Sequence, residues 1–111
     1  MRHAISFGLL VLGACASGAP PAATAANKKL YLDVHELGPG KVTLQAVAEA
    51  HQKDLATQGK YGADFKAYYV DEKAGKIYCL VEAPSADAAI ATHKEAHGLL
   101  PSSIEEVSQG R

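Results

Sequence analysis

Apolar and polar residues alternate over Leu30 to His35 (LYLDVH): Leu30, Leu32 and Val34 point one way, Tyr31, Asp33 and His35 the other. A period of two predicts a strand, and Gly38-Pro39-Gly40 ends it. The period then changes. Between Thr43 and Gln58, Leu44, Val47, Ala48 and Leu55 fall at helix spacing, with Thr43 as N-cap and Gly59 as the stop. Phe65 to Asp71 and Lys76 to Glu82 predict two strands joined by a turn over Glu72 to Gly75. Simple alternation sets Phe65 and Tyr69 against Tyr68 and Val70, and Ile77, Cys79 and Val81 against Tyr78 and Leu80. A second helix runs from Ala86 to His97, with Ser85 as N-cap and Gly98 closing it, and Ile104 to Val107 forms a short last strand.

Strand, helix, strand, strand, helix, strand is the order of the split βαβ, or ferredoxin-like, α+β fold. It predicts a four-stranded antiparallel sheet with both helices on one face. The strands carry apolar groups on both faces, so the open face wants a cover, and face-to-face homodimerisation supplies one.

Residues 1–26 are read as an export signal and tether rather than as part of the fold. Met1-Arg2-His3 is a short positive start, and Ala4 to Leu12 is an apolar run of nine residues. A membrane-spanning helix needs about 20 residues, so this run is signal-sized. Leu12-Gly13-Ala14-Cys15 has the form of a bacterial lipobox, which would place a lipid on Cys15; Ala23-Thr24-Ala25 offers ordinary signal cleavage instead. Either way the mature protein is expected in the periplasm or anchored to the membrane as an envelope lipoprotein, with residues 27–111 as one domain.

Composition adds exclusions. The 111 residues carry 11 basic and 12 acidic side chains, and 48% are hydrophobic. Such a chain is an ordinary folded domain. Its balanced charge gives no reason to expect nucleic acid as a partner, which needs clustered Lys and Arg. Phosphate loops, dinucleotide fingerprints and nucleophile elbows are absent from the sequence. Of the two cysteines only Cys79 lies in the domain, where it reads as a small buried apolar residue.

Histidine is what stands out, with four of the five inside the domain. His51 lies on the apolar stripe of the first helix and His93 on that of the second, each eight residues after its N-cap. In this fold the helices start at the same end of the sheet, so equal depth brings the two rings near each other. His97 follows one turn after His93, and Asp33 and His35 share one face of the first strand. Imidazole with carboxylate suits zinc, copper, nickel or iron(II), and an i, i+4 histidine pair can hold one ion from one helix face. The bland alternative is hydrogen-bonded core or interface histidines. Asp54 and Gln58 read as solvated helix residues or as partners of a ligating histidine. Asp71 and Glu72 are assigned to the hairpin, and Glu82, ending its strand, is a further carboxylate candidate.

Asp33-Val34-His35, Ala48-Glu49-Ala50-His51 with Asp54 and Gln58, Lys60-Tyr61-Gly62, Tyr68 through Asp71, Tyr78-Cys79-Leu80 with Glu82-Ala83-Pro84, and His93 with His97-Gly98 together resemble a small bacterial family. It is a family of domains of unknown function that includes a nickel-binding member with a ferredoxin-like dimeric fold. The resemblance runs from Leu30 to Val107. It implies a homodimeric α+β domain that binds nickel or a similar divalent ion, with His35, His51 and His93 as ligand positions. Asp33, Glu82 and His97 complete the candidate set on chemistry alone.

Three functions compete at this point. The first is a non-catalytic metal-binding protein of the cell envelope. The second is a small dimeric α+β-barrel enzyme, monooxygenase- or isomerase-like, with a histidine as general base. The third is a metal-free interaction module with interface histidines.

Overall fold

The computed structural model describes residues 27–111; the expected export signal, with Cys15, lies outside them. The chain runs β1 (Lys29–Glu36), α1 (Leu44–Thr57), a 3-10 turn (Gln58–Tyr61), β2 (Asp64–Asp71), β3 (Lys76–Ala83), α2 (Ala86–Ala96) and β4 (Ser103–Glu106). The sheet order is β2-β3-β1-β4 with every pair antiparallel. This is the ferredoxin-like arrangement, with β1 and β3 in the middle.

Both helix starts are capped as their sequences dictate. The Thr43 hydroxyl accepts from Ala46 N and the Ser85 hydroxyl from Ala88 N, each relieving an orphan amide of the first turn. The end of α1 differs from expectation. Gly59 does not stop the chain's helical path; a 3-10 turn carries it to Gly62, which takes the left-handed conformation at φ 66. The turn earns its place through Gln58, whose Oε1 accepts from Phe65 N at 2.8 Å and so ties the helix end to the start of β2.

That junction also corrects the expected facing of β2. The register shifts between Phe65 and Ala67, a β-bulge, so Phe65, Tyr68 and Val70 all pair with residues on the helix-covered side of β3. The extra residue resets the period of two, which simple alternation could not foresee.

The core lies between the helices and one sheet face, built from Tyr31, Phe65, Ile77, Cys79 and Val81 with Val47 and Ala89 above them. On β1 the face turned into this core is Tyr31-Asp33-His35; Leu30, Leu32 and Val34 are only partly buried on the other face. The central strand therefore directs its polar residues inward and its apolar ones outward. The stripe of α1 is also rotated from its expected position. Its buried residues are Val47 and Asp54, seven apart and on one face, while Leu44 and Leu55 sit at the exposed margin, 57% and 38% accessible.

The β2–β3 turn packs against the loop after β1. Leu37 N and Gly38 N both donate to Gly75 O, and Asp71 Oδ1 accepts from Ala74 N within the turn. Glu72 reaches further than the hairpin: its Oε1 accepts from Leu44 N at 2.7 Å and helps cap α1. At Gly75, φ is 72 and an added Cβ would fall 1.6 Å from Gly38 O. Gly75→Ala is expected to destabilise the domain by well over the ~1 kcal/mol that a left-handed alanine alone costs. Gly59→Ala, where nothing lies within 4 Å, is expected to be neutral or mildly stabilising, and urea titration of the two variants beside the wild type checks both expectations.

Candidate metal centre

His93 is at the middle of the site. It projects from the buried face of α2 and is 1% accessible. Its Nε2 lies 2.9 Å from Asp33 Oδ2 on β1, and its Nδ1 lies 2.9 Å from Asp54 Oδ1 on α1. One ring thus joins strand and both helices. Phe65 packs against it with ring centroids 4.7 Å apart, and His35 meets it edge-on at 5.0 Å. The bulge that turns Phe65 inward supplies this wall.

Both nitrogens of His93 face carboxylates, which fits an imidazolium donating from each. Burial opposes that charge, yet the hydrogen bonds to Asp33 and Asp54 outweigh it and push the pKa up to about 11. The same logic runs in reverse for the partners. Burial would raise the carboxyls of Asp33 and Asp54, but the hydrogen bond from His93 to each, with the ring of His35 close beside the first and that of His97 close beside the second, holds both below the ordinary value. Burial pushes the Cys79 thiol up to about 11, so it is protonated in this state.

Two compact groups of donor atoms share His93. Asp33, His35, Cys79 and His93, all buried, offer one atom each within 4.8 Å of one another. Asp33 and Cys79 are direct cross-strand partners, and His35 stands two residues along β1. Asp54, His93 and His97 form the second group; His97 Nε2 lies 3.1 Å from Asp54 Oδ1 and 3.1 Å from His93 Nδ1. The first group has unmet bonding capacity. Asp33 Oδ1 is 3.1 Å from His35 Nε2 but without hydrogen-bond geometry to it, and Asp33 Oδ1 and His35 Nδ1 are both buried without a hydrogen-bond partner. Orphaned polar atoms in a core are costly, and a cation beside Asp33 Oδ1 would satisfy that one.

A cavity of about 20 Å³ adjoins both groups, with His51 and Tyr68 on its wall. That is room for about one water molecule.

Of the residues singled out from the sequence, the structure therefore brings together Asp33, His35, His93 and His97. It does not bring in the other two. His51 packs against Tyr68 with the two rings tilted and their centroids 4.8 Å apart and lines the cavity outside both groups; burial lowers its pKa, opposed by Asp54 and aided by the His93 charge. Glu82 faces away from the helices, opposite Leu30 and Asp64, and sits 3.7 Å from Lys66 Nζ. Two residues of the site were undervalued. Asp54 is not a solvated helix residue but 2% accessible; its spacing of seven from Val47 was the available signal. Cys79 is a buried free thiol as expected, but it is also a potential ligand, because the β1–β3 register sets it beside Asp33.

Fold and site together define a small α+β domain with a buried His–Asp–Cys donor set. The chain belongs to the family described as nickel responsive protein SCO4226-like, which matches residues 31–107. It is similar to SCO4226 from Streptomyces coelicolor A3(2), whose crystal structure has been determined: the two are 35% identical, the match covers 74% of this chain and 99% of that one, and the TM-score is 0.68. No curated protein matches the chain.

The charges at this site set a pH signature for the metal-free protein. His93, with its pKa raised from 6.5, contributes stability that is complete below about pH 6.5 and is lost as pH rises toward about 11. Asp33 and Asp54, with theirs lowered from 3.8, contribute stability present above that value and lost as pH falls below it. Urea midpoints measured in chelator are expected to peak between about pH 4 and 6.5, fall gradually on the alkaline side and drop on the acid side. Asp54→Ala, which leaves His93 with one buried counter-charge, is expected to cost about 3–5 kcal/mol and to flatten the alkaline limb.

Proposed function

We propose that this protein is a non-catalytic, exported binder of a divalent transition metal, nickel foremost, held by Asp33, His35, Cys79 and His93. The observation that carries the reading is the four buried donors from β1, β3 and α2 within 4.8 Å of one another, with Asp33 Oδ1 unpartnered among them. Imidazole, carboxylate and thiolate together suit nickel, zinc, copper and cobalt. The nickel preference comes from the family's description as nickel responsive. Binding requires deprotonation of the ligands: the ion displaces the Nε2 proton of His93 and the thiol proton of Cys79.

The cavity supports binding over turnover of an organic substrate. Substrate pockets usually enclose about 300–1,000 Å³, whereas the space beside these side chains is about 20 Å³.

Two further parts of the proposal rest on other observations. The open sheet face, carrying Leu32, Val34, Leu80, Tyr78 and the 59% accessible Tyr69, fits a second copy of the chain packed face to face. The apolar run over Ala4 to Leu12 and the lipobox-like residues ending at Cys15 support export, with membrane attachment through a lipid at Cys15. Among the described residues no helix is long and apolar enough to cross a membrane.

Thermal unfolding with added Ni(II), Zn(II), Cu(II) or Co(II) tests the metal reading. A ligand present at a hundredfold excess over its Kd stabilises by about 2.7 kcal/mol, which in a domain this small shifts Tm by on the order of 10–20 °C. The shift is expected to shrink in His35→Ala and Cys79→Ser and to persist in Glu82→Gln. A Tm that ignores all four metals would sink the proposal. For the dimer, Leu80→Glu is expected to give a monomer in analytical ultracentrifugation while leaving the metal-dependent shift in place.

A further inference from the structure

One concave surface of the domain has no part in the metal reading. The β1–α1 loop, the first half of α1 and the α2–β4 loop frame an open groove of about 130 Å³. Its floor is Val42, Val47 and Ile77, each 5–7% accessible. Its rims are Leu37 from one loop and Leu99 from the other, 36% and 37% accessible. Apolar side chains left partly in water on two sides of an apolar floor gain by being covered. The loop wall is also held in place. Leu37 N and Gly38 N both donate to Gly75 O, and Lys41 N donates to Gly38 O at 3.1 Å, so a ligand has little ordering to do there.

Charge narrows what fits. Lys41, exposed at the margin, is the one charged residue among those described that line the groove. Among the described residues no carboxylate pairs with it: Glu36 is held by Lys76 Nζ and Glu72 by Leu44 N, and neither lines the groove. The first turn of α1, which contributes Ala46, carries no acidic side chain. An apolar trough with a single cation at its edge complements an anion on an aliphatic body. Volume sets the size of that body. An apolar cavity of about 150 Å³ holds a benzene molecule, so this one takes an aliphatic group of about six carbons.

We propose that the groove binds small aliphatic carboxylates, seating an apolar group of about six carbons on Val42, Val47 and Ile77 and the carboxylate at Lys41 Nζ. The site does not rest on the metal reading. Val47, Ala50, Ile77 and Leu99 wall both the groove and the smaller cavity beside His51 and His97, but Asp33, His35, Cys79 and His93 do not line the groove.

The test is proton–nitrogen correlation NMR of the chain in chelator at neutral pH, titrated with hexanoate, with hexan-1-ol, which lacks the charge, and with acetate, which lacks the chain. Hexanoate is expected to shift the Leu37, Lys41, Ala46 and Leu99 amides saturably. Hexan-1-ol is expected to shift the same amides with affinity about three- to fivefold weaker, and acetate not to saturate. Lys41→Gln is expected to bring hexanoate down to the level of hexan-1-ol while leaving hexan-1-ol unchanged. Ala46→Leu, at an exposed position, is expected to fill the groove and abolish both. Hexanoate binding that ignores Lys41→Gln or Ala46→Leu would overturn the proposal, as would shifts that never saturate or that fall on Leu32, Tyr69 and Leu80 of the open sheet face. Movement of the groove amides on dilution alone, with no additive, would assign the groove to a second copy of the chain and overturn it as well.

Discussion

His93 sits between two carboxylates drawn from different layers, Asp33 of the sheet and Asp54 of the first helix, with 2.9 Å contacts at both ring nitrogens. Much of the domain is arranged to make that contact possible. Strand β1 turns its polar face inward to deliver Asp33. Helix α1 is rotated so that Asp54 rather than Leu55 faces the core. The bulge in β2 brings Phe65 against the ring, and Gln58 fixes the bulge by accepting from Phe65 N. A cation buried among apolar side chains is unfavourable alone, and two carboxylates are worse; together, with hydrogen bonds of good length, they hold one another in ionised form.

The arrangement also explains why so much chemistry is gathered in so small a core. A domain of this size buries few apolar side chains, and here Asp33, His35, Asp54, Thr92 and His93 occupy fully buried positions that aliphatic residues would otherwise fill. Apolar residues of β1 are left on the opposite face. The molecule thus trades an apolar interior for a polar one and presents an apolar sheet face outward. The buried donor set and the apolar outer sheet face, from which the metal and dimer proposals start, are two consequences of one choice of strand orientation.

Within such a cluster the groups titrate together. The raised His93 and the lowered Asp33 and Asp54 describe one proton-holding unit, and the buried Cys79 thiol beside it gives up its proton only to something more strongly attractive than water. A transition-metal ion is such a partner, and it competes with protons for the same lone pairs.

The sequence by itself determined the elements and their order, since period two, period 3.6, Thr43, Ser85 and Gly98 are local signals that neighbouring residues enforce. It also determined that Asp33 and His35 share one face of a strand and that His93 and His97 share one side of a helix, because alternation and helix spacing fix which side chains lie together. It did not determine which face of β1 looks inward, because burial of apolar area alone would favour the Leu30-Leu32-Val34 face, and the structure buries Tyr31, Asp33 and His35 instead. Nor did it reveal the bulge at Phe65, the continuation of α1 through a 3-10 turn to Gly62, or the union of Asp54 and Cys79 with the histidines. Those depend on contacts between residues distant in the chain: the β1–β3 register, the Gln58–Phe65 bond and the seating of α1 against α2. Only the packed structure decides them, because each is settled by which buried polar group finds a partner, and those partners come from other strands and helices.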